Sequence, residues 1–299
     1  MRNAFADEVT QLAARDSRIV LLSGDIGNRL FDRLRAQSPS QFINCGVAEA
    51  NMMGVAAGMA LSGLRPITYT ITPFTTTRCL EQIRVDVAYH EAPVIIVGTG
   101  SGLSYASLGP THHSLEDFAI LRAIPNMRIL APWDAISLRR VLQESLLDRT
   151  PTYIRIGKKG EKDVLPTDRV AGLGRLTELS SGEGVVIVAV GTVATEAVRA
   201  AEQLRENGIT AAVSLAHTVK PLPEADLKAL FASHRLVVTV EEHSAAAGFG
   251  ESVVGFAHHS GYSGRVIPLG VPDYFLSKAG SQGYARQLAG IDSTAIAQA

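Results

Sequence analysis

The chain has 299 residues, enough for two domains with cores of ordinary size. Its 28 basic and 29 acidic side chains nearly cancel, which excludes the net basic face that nucleic-acid phosphates require. Only two cysteines are present, Cys45 and Cys79, without metal-ligand spacing, so a disulfide framework is excluded and a reducing cytosol fits.

Residues 1–18 have Phe5, Val9, Leu12 and Ala13 on one helical face. No apolar core follows the first basic residue, so this is an amphipathic helix rather than a signal peptide. A strand is expected over 18–22, ending in the turn Ser23-Gly24-Asp25, and a second over 41–44. A helix follows over 48–61, then a strand over 65–70, a helix over 76–90 and a strand over 93–97. A helix over 114–122, a strand over 127–130, a helix from Ala135 and a strand over 152–156 complete the first unit. Continuous apolar strands alternating with helices predict a mostly parallel sheet covered on both faces. Ligands of such sheets sit beyond the carboxyl ends of the strands.

Residues 157–174 are polar and glycine-rich and read as a linker. A second α/β unit follows, with strands over 185–190, 210–215, 236–240 and 265–269 and a helix over 194–207 capped by Gly208. The fold class expected is therefore two mostly parallel-sheet α/β domains, over 1–165 and 175–299. The longest apolar runs are strand-length, so no membrane span is expected.

Three segments beyond strand ends could carry chemistry. In the first, Asn44 to Gly58, Glu49 lies at the first turn of a helix whose Gly54, Ala57 and Gly58 allow close approach of a neighbour. The plain alternative for Glu49 is a favourable charge at a helix start. The second, Gly98 to His113, is a long glycine-rich loop ending in Thr111-His112-His113. Histidine is the side chain best suited to moving protons near neutral pH, and the alternative is a pair of ordinary surface histidines. A third metal ligand at suitable spacing is missing. The third, Thr72 to Arg78, carries Phe74, which could stack on a flat heterocycle or simply be buried against the next helix.

These segments carry a resemblance. GVAEANMMGVAAGMALSG, residues 46–63, resembles the transketolase-type segment that holds the family's cofactor glutamate. GLSYASLGPTHHSLEDFAILRAIPNMRILAPWD, residues 102–134, is similar to the loop, helix and strand that follow in transketolase and deoxyxylulose-phosphate synthase. VKPLPEADL (219–227), VVTVEEHSAAAGFGESV (237–253) and GVPDYF (270–275) resemble the family's C-terminal domain. The likeness covers nearly the whole chain in the expected order.

The resemblance implies a thiamine-diphosphate enzyme transferring a two-carbon ketol unit to a sugar or aldehyde acceptor. Glu49 would bond the pyrimidine N1′ and share a proton with it, favouring the 4′-imino form that takes the thiazolium C2 proton. Phe74 would stack on the pyrimidine, and Asp25 would line the same cleft. His112 would meet the substrate hydroxyl or developing oxyanion, with His113 beside it. Arg155 resembles an arginine that binds the acceptor's phosphate, while Lys158 and Lys159, close by, read equally well as linker charges. Two departures stand out. Leu108 replaces an aspartate that reads a sugar hydroxyl, and Gly100 replaces a histidine at the start of the loop.

The family binds diphosphate through magnesium with Gly-Asp-Gly and a later Asn. Ser23-Gly24-Asp25-Ile26-Gly27 matches this only superficially, so no metal ligand is expected in this chain. A separate subunit with the diphosphate-binding domain is expected instead, in an α2β2 assembly built on a homodimer of this chain. Competing readings are a deoxyxylulose-phosphate-synthase-like use of a 2-oxoacid donor and the β component of a 2-oxoacid dehydrogenase. Outside enzymes, the competitor is a scaffold protein that kept the fold, which would have little reason to keep Glu49 with His112.

Overall fold

The computed structural model describes residues 1–27, 29–166 and 169–299. It contains two sheets. The first-unit strands are β1 (Ile19–Ser23), β2 (Phe42–Asn44), β3 (Arg65–Ile71), β4 (Ile95–Thr99), β5 (Arg128–Leu130) and β6 (Thr152–Ile156). The later strands are β7 (Leu176–Ser180), β8 (Gly184–Val190), β9 (Ala212–Ala216), β10 (Thr218–Lys220), β11 (His234–Ser244) and β12 (Arg265–Val271). The seven-stranded sheet runs β10-β5-β6-β4-β3-β1-β2 and the five-stranded sheet β12-β11-β8-β9-β7. All pairs are parallel except β10 with β5 and β7 with β9, both at sheet edges.

The strands follow from their side chains. β1, β4 and β6 are buried at every residue because helices cover both faces, and so they read as unbroken apolar runs. The edge strand β2 is only partly buried. Register brings the first sheet's carboxyl ends level, with Ser23 beside Asn44 and Tyr69, and Thr99 beside Ile71 and Ile156. The loops after β1, β2, β3, β4 and β6 therefore open on one edge.

Most expected helices form. Gly208 takes a left-handed φ of 82° just past helix Ala194–Glu206, as its capping role requires. Helix Ala135–Ser145 begins with a capping box made by Asp134 and Ser137. The segment expected as one helix over 76–90 is different. Helical turns begin at Thr72, with Pro73 in the first turn where its missing N–H does no harm, and continue as short pieces to a π-helical stretch, Ile83–Tyr89. Thr76 and Thr77 donate their hydroxyls to the carbonyls of Thr72 and Pro73, a back-bonding that disturbs a regular helix.

The second unit also holds helices that the sequence did not reveal, among them Glu224–Ser233, Phe249–His259 and Gln282–Ala289. One apolar cluster runs through both units, joining Val20, Met52 and Ile96 to Val188, Ala216 and Val237. No helix among the described residues is long and apolar enough to cross a membrane.

Candidate active site

The edge where β1 to β4 and β6 end collects most of the residues singled out in the sequence. Glu49 is the first residue of helix Glu49–Leu61 and is only 4% exposed. A carboxylate in the first turn is favoured by the helix's unpaired N–H groups. Its Oε2 accepts a hydrogen bond from Arg78 Nη1 at 2.7 Å. Gly24, after β1, passes close by. A Cβ built there would lie 2.8 Å from Thr70 Oγ1 and 3.7 Å from Glu49 Oε1, so bare backbone is needed at this point. The Thr70 hydroxyl is buried and has no hydrogen-bond partner.

Arg78 joins Glu49 to the aromatic part of the site. Its guanidinium carbon lies 4.3 Å from the centre of the Phe74 ring, within cation–π range. Phe74 meets His112 edge-on at 5.5 Å, and the His112 ring lies 6.0 Å from Tyr105. His112 is half-buried, and its Nδ1 pairs with Thr111 Oγ1 at 2.9 Å. Lys158, after β6, places its ammonium 4.7 Å from the Tyr105 ring centre. Glu49, Arg78, Phe74, His112 and Tyr105 thus form one chain of contacts drawn from three separate segments of the chain.

Gly100 has a physical reason in this cluster. Its φ is 84°, and a Cβ there would lie 2.0 Å from the Tyr105 ring. The space of a side chain at position 100 is filled by Tyr105. Leu108 is 51% exposed on the same loop.

The other expected residues stand apart. His113 is buried, its Nε2 has no partner, and burial pushes its pKa below the ordinary histidine value. Asp25 is exposed at the same sheet edge, and its Oδ1 accepts from Asn44 Nδ2 at 3.1 Å. Arg155 is buried in structural contacts. Nη1 donates to Asp117 at 3.0 Å, Nη2 donates to the Glu242 carbonyl, and the guanidinium lies 4.3 Å from the Phe118 ring centre. As placed, Arg155 is engaged inside the protein, and the half-buried Lys158 lies against Tyr105 of the His112 loop.

The sequence alone did not single out Arg78. The signal was its spacing, four residues after Phe74, but Thr72 to Arg78 read as a polar loop. Only a helical turn brings residues at that spacing together.

A flat, hydrogen-bonding heterocycle fits these residues. Glu49 offers a buried carboxylate with one observed donor, Phe74 a half-buried ring face, and Thr70 an unused buried hydroxyl. Among the described residues no three His, Cys, Asp or Glu side chains come together in a metal-binding group.

Comparison with known proteins gives two family matches. The transketolase pyrimidine binding domain matches residues 1–160, and the transketolase C-terminal domain matches residues 174–296. A subunit of the apulose-4-phosphate transketolase of Phocaeicola vulgatus is 36% identical over 275 residues, 91% of this chain and 87% of that protein. A putative transketolase C-terminal section of Methanocaldococcus jannaschii is 33% identical, over 100% of this chain and 94% of that protein. Among solved structures, one described as a split gene transketolase, inactive beta4 tetramer, superimposes with a TM-score of 0.89 at 31% identity, covering 99% of this chain and 95% of that one.

Proposed function

The chain belongs to the transketolase family, and on that premise we propose that it is the pyrimidine-binding subunit of a two-chain, thiamine-diphosphate-dependent transketolase. It transfers a two-carbon ketol unit to an aldehyde acceptor. The observation that carries the reading is the buried Glu49 carboxylate, joined through Arg78 and Phe74 to His112 at the carboxyl edge of a parallel sheet.

Thiamine diphosphate, when bound, supplies an acidic thiazolium carbon that takes up the two-carbon fragment. Glu49 holds a proton at the aminopyrimidine's ring nitrogen, for which a buried carboxylate shielded from water is suited. Arg78, 44% exposed at its side chain, is free to leave Glu49 when that nitrogen takes its place. Phe74 packs against the flat ring, and Asp25 lines the cofactor cleft. His112 orients the substrate and stabilises charge on its oxygen, helped by the neighbouring Thr111 hydroxyl. His113, buried behind it, supports the loop beside the substrate. Diphosphate and magnesium are held mainly by a partner subunit carrying the diphosphate-binding domain. Two relatives of matching length support this, one named as a transketolase subunit and one as a C-terminal section.

The test is reconstitution. The chain is purified with its partner subunit, loaded with cofactor and magnesium, and assayed for exchange of the cofactor's C2 proton and for turnover of ketose phosphates. The expected result is exchange and turnover in the complex. A complex that binds cofactor yet exchanges no faster than free thiamine diphosphate would refute the proposal.

A further inference from the structure

The end of β11 reads Glu241-Glu242-His243-Ser244, and its residues divide their work between the two units. Glu241 serves its own unit. Its carboxylate accepts from the N–H groups of Phe249 and Gly250, at 2.9 and 2.8 Å, at the start of helix Phe249–His259. The next three residues reach across to the first unit.

Glu242 is 1% exposed, and its Oε2 accepts from Leu103 N–H at 3.0 Å, at the base of the loop that carries His112. The same carboxylate is held by Gln282 Nε2 at 2.9 and 3.0 Å and by Arg286 Nε, so its charge is paired. Gln282 also reaches Ser104 Oγ at 3.3 Å. At the far end of the loop, Ser244 N–H donates to the Leu115 carbonyl at 2.7 Å. His243 Nε2 accepts from Ala119 N–H at 3.2 Å, with its ring stacked 5.1 Å from Phe118. Gly102 makes the approach possible, since a Cβ there would lie 2.4 Å from Cβ of Glu242.

We propose that residues 242–244 and Gln282 form a positioning clamp by which the C-terminal unit fixes the loop presenting His112 to substrate. The clamp rests on the role given to His112 above. It grips the loop at 103–104 and again at 115–119, on either side of His112. Tying both ends of a glycine-rich loop removes most of its conformational freedom before substrate arrives. The clamp residues are positioning residues, because their contacts are with the loop's ends and not with Glu49, Phe74 or His112. The buried carboxylate is the demanding element: it is retained in a dry site with four kinds of donor, the Thr192 hydroxyl at 3.4 Å and the loop's own backbone among them.

Two variants test this. Gln282→Ala removes a half-buried side chain and its Ser104 contact, whereas Glu242→Gln keeps the shape but removes the charge opposite Arg286. Amide hydrogen exchange is measured on the chain, and turnover and C2-proton exchange on the reconstituted complex. For Gln282→Ala, amides of residues 103–112 should exchange faster while helix Glu49–Leu61 stays protected. Turnover should fall about tenfold, the worth of one lost hydrogen bond, while C2 exchange stays near wild type. Glu242→Gln should show the same pattern more strongly; if it does not fold, Gln282→Ala decides. Unchanged loop exchange in Gln282→Ala would overturn the clamp, and so would a loosened loop with undiminished turnover. A wild-type complex without C2 exchange would overturn the cofactor reading instead, while amide exchange on the chain would still accept or reject the clamp.

Discussion

At the scale of single residues, Glu49 and His112 carry different parts of the proposed chemistry and can be separated. Glu49→Gln keeps the size of the side chain and can still accept from Arg78, so the fold should survive. An amide cannot supply an acidic proton to the pyrimidine nitrogen, so C2 exchange in the complex should fall on the order of a thousandfold, as for loss of a key electrostatic group. The loss should appear in turnover more than in cofactor affinity. Exchange as fast as wild type would leave Glu49 as nothing more than a helix-start charge. His112→Ala should leave C2 exchange intact and lower turnover roughly a hundredfold, the usual range for a positioned proton-transfer group. His113→Ala should do less, because that ring is buried, whereas the His112 ring meets Phe74. Equal, small effects from both would remove His112 from the mechanism. Glu49, Phe74 and His112 were legible in the sequence as candidates because each lies beyond a strand in a segment with more chemistry than a turn needs. Arg155 shows the limit of such reading. It lies within β6, and its burial and pairing with Asp117 are decided by elements remote in sequence.

At the scale of elements, local periodicity revealed the parallel strands and missed what tertiary contacts impose. β10 is a three-residue strand separated from β9 by one residue, yet it crosses to pair antiparallel with β5 of the other sheet. Nothing in Thr218-Val219-Lys220 announces that partner. His217, between β9 and β10, shows how the crossing is fixed. It is fully buried, stacks on Trp133 at 5.7 Å, and bonds the Ala171 carbonyl through Nε2 and Thr218 Oγ1 through Nδ1, each at 2.9 Å. The polar segment read as a linker is therefore held to this crossing at Ala171. Burial lowers the His217 pKa below its ordinary value of 6.5. The unfolded chain then binds a proton in a range where the folded chain does not, so stability must fall as pH drops from about 6.5 through the depressed folded value. Urea unfolding at pH 7.5, 6.0 and 5.0 should show a falling midpoint, and His217→Gln should flatten the part of the slope that this residue contributes. An identical slope in that variant would assign the acid sensitivity elsewhere, with buried His113 the next group to test.

At the scale of the whole molecule, the two sheets share one apolar cluster, so the C-terminal unit is packed against the unit that carries the candidate site. The surface points to further association. Val47 is 80% exposed, Leu61 60% and Tyr89 78%, and they flank helix Glu49–Leu61 and the π-helical stretch packed on it. Large apolar side chains left in water at the start and end of the helix that begins with Glu49 fit a surface covered in the working assembly. The proposed two-chain enzyme is expected to pair a second copy of this chain with the diphosphate-binding subunit, closed by two-fold symmetry as α2β2. The chain alone should therefore fold and self-associate but show no turnover with thiamine diphosphate and magnesium. Analytical ultracentrifugation should find a dimer or larger species of the chain alone. Adding the partner should restore activity and give a particle of two copies of each. Leu61→Glu, a charge placed on the exposed helix end, should weaken association while leaving the circular dichroism of the chain unchanged. Full turnover by the purified chain alone would contradict the split-subunit reading, and a strictly monomeric chain whose active complex is one-to-one would contradict the symmetric assembly.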